Sequence, residues 1–118
     1  MGLAAQSNDR VYTIMNEIVL RMKSIFDTHL RQVILFGSYA RGEQDEFSDM
    51  DIMVLVDVTD EEVKKYHDMI VEVVCDISLR YGVLPSIISK NYQHFYHWVP
   101  FLPFYRHVKT EGVEYYAN

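Results

Sequence analysis

The chain carries one cysteine, Cys75, so no internal disulfide forms and a secreted, cross-linked scaffold is excluded. Glycine and proline are sparse, five and three in 118 residues, and no repeat or stretch rich in Ser, Gly or Pro marks a linker or low-complexity segment. No apolar run approaches the roughly 20 residues that a membrane-spanning helix needs. The opening MGLAAQSNDR lacks the apolar core of a signal peptide. These absences lead us to expect a cytoplasmic protein with no membrane partner. Cations are scarce too, 11 Lys and Arg against 17 acids for a net charge of −6. They are scattered from Arg10 to Lys109, so no basic patch offsets repulsion from a phosphate backbone, and direct nucleic-acid binding is not expected.

What the chain does have is apolar residues, 49% of the total. At this length that is enough for a single domain, residues 1–118, around one core. From Val11 the apolar positions Ile14, Met15, Ile18, Met22, Ile25 and Phe26 follow a spacing of three and four, one face of a helix ending near His29, with Ser7 or Asn8 as N-cap. Gln32–Phe36 and Asp51–Val56 read as buried strands, and the charged stretch Glu43–Ser48 between them as a loop. Thr59 and Glu62 match a capping box. It opens a helix whose apolar face is Val63, Tyr66, Ile70, Val73, Val74, Ile77 and Tyr81, stopped at Gly82. Val83–Ser89 is a third strand, which Pro85 confines to a strand start or a sheet edge. Beyond it come two helical pieces broken at Pro100 and Pro103, then Gly112 and a short last strand over Val113–Tyr116. This order predicts an α/β (α+β) domain, a small mixed sheet with flanking helices.

The stretch that carries chemistry is Ile34-Leu-Phe-Gly37-Ser38-Tyr-Ala-Arg41-Gly42, followed by Ser48-Asp49-Met50-Asp51-Ile52. Gly37 ends a strand and lets backbone approach a ligand without a Cβ in the way. If Ser38 opens a helical turn, its free amides and hydroxyl form an anion cradle, and the planar fork of Arg41 reaches a phosphate; the alternative for Arg41 is a surface ion pair. Asp49 and Asp51 stand two apart, the spacing that puts both carboxylates on one face of a strand. Their repulsion is relieved by a cation between them, and hard oxygen donors beside phosphates suit Mg²⁺. A phosphate cradle next to a carboxylate pair is the layout of metal-assisted phosphoryl or nucleotidyl transfer.

Gly37-Ser38, ten intervening residues and Asp49-Met50-Asp51 resemble the signature of the DNA polymerase beta-like nucleotidyltransferase superfamily. The short chain is similar to its minimal nucleotidyltransferases, the MNT proteins. That resemblance implies a polymerase beta-like fold, ATP as substrate with two Mg²⁺ ions on Asp49 and Asp51, and phosphates on Gly37, Ser38 and Arg41. It implies an all-helical HEPN-type partner, with this chain the antitoxin of a toxin–antitoxin pair, acting by AMP transfer to a partner hydroxyl, by binding, or both. The sequence departs from the family at the third carboxylate. The matching strand, Leu84-Pro-Ser-Ile-Ile-Ser89, has no acid, Ser86 stands at the expected place, and Asp57 and Asp76 lie elsewhere. A catalytically weak nucleotide-binding antitoxin and a small-molecule transferase of the aminoglycoside type are therefore alternatives.

Away from this block, Tyr92, Phe95, Tyr96, Trp98, Phe101, Phe104 and Tyr105 read as core, with an interface to a partner or a second copy as the alternative. His94 and His97 have helical spacing but no third ligand nearby. Cys75 reads as an inert packed thiol.

Overall fold

The computed structural model describes the backbone of residues 3–118 and the side chains from Asp9 onward. Helix α1 spans Leu3–Phe26, followed by a 3-10 turn over Asp27–His29 and strand β1, Leu30–Phe36. A one-turn helix α2, Ser38–Arg41, leads through a loop to β2, Met50–Val56. Helices α3, Asp60–Val63, and α4, His67–Tyr81, precede β3, Pro85–Asn91. Helices α5, Tyr92–Trp98, and α6, Pro103–Glu111, then lead to β4, Val113–Ala117. The sheet order is β3-β2-β1-β4. β1 is antiparallel to both β2 and β4, and β2 is parallel to β3. The parallel pair needs a long crossover, which α3 and α4 supply.

β2 is buried on both faces, and its alternation divides the protein into two layers. Met50, Ile52, Val54 and Val56 pack with Ile14, Ile18 and Met22 of α1 and Val73 and Ile77 of α4. Met53 and Leu55 face the other way, against Ile34, Phe36, Phe95 and Val108 under α5 and α6. Period-two alternation on a strand apolar at every position but Asp51 is what a central strand between two helical layers requires.

The expected mixed sheet with flanking helices is present, and several local expectations need correction. Ser7 and Asn8 lie inside α1, which starts at Leu3, so neither caps it. The predicted helix after Thr59 is broken: a 3-10 turn over Lys64–Tyr66 separates α3 from α4. The Thr59 hydroxyl accepts the Glu62 N–H at 3.1 Å. The Glu62 carboxylate, instead of returning to the Thr59 backbone, accepts from the Thr59 hydroxyl at 3.3 Å, so the box closes through side chains. Gly82 caps α4 in the left-handed conformation, its N–H bonded to the Ser78 carbonyl. Pro85 begins β3, which is an edge strand, where its missing N–H costs no ladder bond. Cys75 is exposed: Val73 and Ile77 point at the sheet, and residue 75 is turned away between them. No helix among the described residues is long and apolar enough to cross a membrane.

Candidate active site

The antiparallel register places Phe36 opposite Asp51, so the chain leaving β1 at Gly37 passes the carboxylate. Gly37 has φ +74° and ψ −154°, a region that residues with a Cβ scarcely enter. A Cβ built at this position would collide with Oδ2 of Asp51 and stand 3.3 Å from its Cγ. The glycine is thus demanded twice, once by backbone angle and once by the carboxylate packed against it. The space left by the missing Cβ, which the sequence alone suggests for a ligand, is filled first by Asp51 itself.

Past Gly37 the chain turns at once. The N–H groups of Ala40 and Arg41 donate to the Gly37 carbonyl at 3.1 and 3.2 Å, and Glu43 N–H to that of Ser38 at 2.9 Å. Gly42, at φ +71°, ends the turn. The amides of Ser38 and Tyr39, at the start of this turn, have no acceptor within it. The following loop is braced by Asp45 and Ser48. The Ser48 hydroxyl accepts Asp45 N–H at 3.0 Å, and the Asp45 carboxylate accepts Phe47 N–H at 2.8 Å. This brace delivers an exposed Asp49 to the start of β2, where Met50 N–H is held by the Leu84 carbonyl at 2.9 Å.

Asp51 is half-buried, on the sheet face that continues through Met53 and Leu55 beneath α5 and α6. Burial first, and then the neighbouring Asp49 charge, push its carboxyl above the ordinary range, with Arg41 partly offsetting both. A carboxylate raised by burial and by a like charge gains from a cation. The donor set, two hard carboxylates two residues apart, fits a divalent ion such as Mg²⁺. Across the parallel pair, Ser86 of β3 lies beside Asp51.

Arg41 does not point into an open phosphate site in this state. Its Nε lies 3.1 Å from Glu43 and its Nη1 3.6 Å from Glu111, the ion-pair alternative. Gly37 and Arg41 line a cavity of about 390 Å³ with Phe36, Phe104, His107 and Glu111. Asp49 lines another of about 370 Å³ with Tyr39, Phe47, Ser48 and Leu84. The fold packs Asp51 against Gly37, which opens the turn at Ser38, and sets the charge of Asp49 near Asp51; Arg41 is engaged by Glu43 and Glu111. Asp76 and Asp57, the acids that lie outside the matching strand, are engaged elsewhere. Asp76 pairs with Arg21 at 2.6 Å and with Arg80 at 2.9 Å, and Asp57 pairs with His29 at 2.6 Å where β2 ends. His94 is 2.6 Å from Asp60, and no group of three metal-ligating side chains is found among the described residues.

Residues 15–113 match the model of the nucleotidyltransferase domain. MJ0604, a proposed protein adenylyltransferase of Methanocaldococcus jannaschii, is 33% identical over 96 residues, covering 81% of this chain and 88% of its own. Among solved structures, a proposed nucleotidyltransferase from Sulfolobus solfataricus superposes with a TM-score of 0.63 at 21% identity, covering 100% of this chain and 90% of that one. A toxin–antitoxin protein crystallised with AMP-PNP gives 0.58 at 20% identity, with coverages of 87% and 73%. At these identities the two structures speak for the fold alone.

Proposed function

The chain belongs to the nucleotidyltransferase domain family, and from that premise we propose that it is a Mg²⁺-dependent adenylyltransferase acting on a protein hydroxyl. The observation that carries this reading is the packing of the Asp51 carboxylate on Gly37, one acid of the Asp49/Asp51 pair against the residue that opens the Ser38–Arg41 turn. In this reading Asp49 and Asp51 hold Mg²⁺, which when bound supplies charge neutralisation for a triphosphate and for the leaving pyrophosphate. The Ser38 and Tyr39 amides and the Ser38 hydroxyl hold ATP phosphates. Arg41 exchanges Glu43 and Glu111 for a phosphate, trading exposed ion pairs for a charge-assisted fork. The acceptor oxygen bonds to the α-phosphorus, the bond to the β-phosphate bridge breaks, and AMP is left on the acceptor as pyrophosphate departs.

The similarity to a proposed protein adenylyltransferase and to a toxin–antitoxin protein supports a polypeptide acceptor with this chain as antitoxin; an acceptor of the all-helical HEPN type is what the sequence resemblance to the MNT proteins implies. Ser86 beside Asp51 favours a second reading, a nucleotide-binding antitoxin of weak catalysis that acts by forming a complex. One experiment decides. The purified chain is incubated with Mg²⁺, α-labelled ATP and the protein encoded by the adjacent gene, with Asp49→Asn/Asp51→Asn as control. Label on the neighbour that the double variant abolishes supports transfer. An unlabelled complex that the variant still forms refutes transfer and leaves the binding reading.

A further inference from the structure

The sheet face that holds Asp51 borders an apolar surface that the fold leaves uncovered. Phe95, Tyr105 and Val108 of α5 and α6 pack onto the sheet. Trp98, Phe101, Leu102 and Phe104, at the elbow between these helices, are 38%, 65%, 40% and 46% exposed. The elbow is a rigid platform. The N–H groups of Phe101 and Leu102 both bond the Trp98 carbonyl at 2.9 Å, and the Arg106 guanidinium donates to the Pro100 carbonyl at 3.2 Å. The Trp98 and Phe101 rings meet edge to face at 5.9 Å.

The platform is continuous with the catalytic face. Phe104 packs edge-on to Phe36 at 5.6 Å, and Phe36 is the strand partner of Asp51. Its charge also runs against that of the chain. Residues 92–111 carry Arg106 and Lys109 against Glu111 alone, in a protein of net charge −6 when histidines are counted neutral in both. Large exposed aromatics on an ordered support are the side chains that anchor protein interfaces, and three of them, Trp98, Phe101 and Phe104, stand here with Leu102.

We propose that this elbow is the docking surface for the polypeptide that carries the acceptor hydroxyl, through an apolar patch on that partner rimmed by acidic side chains. The inference rests on the proposed transfer reaction and adds where the acceptor sits: over α5 and α6, on the same side of the sheet as Asp51 and Ser86.

The test uses the full chain and the protein encoded by the adjacent gene. Phe101→Glu places a charge on the platform at a residue too exposed to disturb the core, and Trp98→Ala is the second variant; thermal melts check that both are folded. Calorimetric titration reads complex formation, and labelled AMP transfer reads KM against kcat. Each variant weakens the complex about ten-fold or more, as expected for an interface anchor, and raises the acceptor KM in parallel. Affinity for Mg²⁺ with AMP-PNP is unchanged. Variants that bind and label like the wild type overturn the docking surface while leaving the transferase reading intact. A wild-type complex that never labels, yet is lost in Phe101→Glu, overturns the transferase reading and keeps the surface. A wild-type chain that does not bind this neighbour, or variants that instead turn a dimer of this chain into monomers, also overturn the proposal, the latter in favour of self-association.

Discussion

Replacing Gly37 by alanine separates two costs that ordinarily arrive together. The first is backbone strain at φ +74°, ψ −154°, about 1–3 kcal/mol for a residue held in a region reserved for glycine. The second is the collision of the new Cβ with the Asp51 carboxylate. Gly42→Ala is the control for strain without collision, because Gly42 also has a positive φ, at +71° in the left-handed region, and has no atom within 4 Å of a built Cβ. It pays strain alone, about 1–2 kcal/mol. Each kcal/mol lowers the melting temperature by about 4–8 °C in a domain of up to 100 residues, and somewhat less in a larger one. Gly42→Ala therefore melts several degrees early, and Gly37→Ala distinctly earlier. The difference is isolated by a double-mutant cycle with Asp51→Ala, which removes the obstructing atoms. A coupling of about 1–2 kcal/mol is expected from two groups in direct contact. Nucleotide binding divides the pair further. Displacing Asp51 costs Gly37→Ala its calorimetric signal with Mg²⁺ and AMP-PNP, whereas Gly42→Ala retains it. Equal melting losses for the two alanines, strictly additive effects of Gly37→Ala and Asp51→Ala, and normal nucleotide binding by Gly37→Ala would together refute this account of the site.

Two further outcomes follow from the charges. The Asp51 carboxyl titrates above its ordinary range in the folded chain, so the folded state binds that proton more tightly than the unfolded state. Its stability contribution falls as pH rises past the unfolded value. Asp51→Asn consequently melts higher than wild type at neutral pH without metal and equal to it in acid; adding Mg²⁺ with AMP-PNP reverses the neutral order, because only the wild type binds. A lower melting temperature for the metal-free variant would refute the reasoning. Asp76 is drawn from 3.8 to about 2 by hydrogen bonds from Arg80 and then Arg21. That contribution is present above the unfolded value and lost as pH falls from about 4 toward 2. Acid unfolding of Asp76→Asn thus begins at higher pH than that of wild type, and molar salt narrows the gap because these groups are exposed; coincident acid transitions would contradict it.

Much of this molecule is legible in its sequence wherever a single element decides the outcome. The three-and-four spacing from Ile14 to Phe26 yields α1, Gly82 stops α4, and Pro85 starts an edge strand. The Gly-Ser and Asp-x-Asp pieces meet because β1 and β2 are neighbouring strands, which their short connection already implies. What the sequence hides depends on partners far away in the chain. Nothing local says that Glu111, 70 positions on, competes for Arg41. The space beside Gly37 is taken by a side chain of the next strand, and only the register reveals it. The aromatic segment is the clearest case. Phe95 is fully buried and Phe101 is 65% exposed, a division set by which residues reach the sheet from two short helices. Periodicity over seven or nine residues is too brief to distinguish them. The break at Lys64–Tyr66 has no signal in that stretch, which contains neither Gly nor Pro.

The position of β4 has a kinetic consequence. β1 carries Gly37 at its end, yet one of its two ladders is completed by residues 113–117, about eighty positions later. Contacts so distant in sequence slow folding, because the loop must close before they repay its entropy. Where β1 and β2, close in sequence, pair before residues 113–117 have left the ribosome, β1 is a bare edge for that time. An unpaired apolar edge such as Val33-Ile34-Leu35-Phe36 is a template for pairing with another chain. The nascent protein is then most vulnerable to aggregation in the interval before residues 113–117 arrive, and the strand that leads into Gly37 and Ser38 is the one exposed.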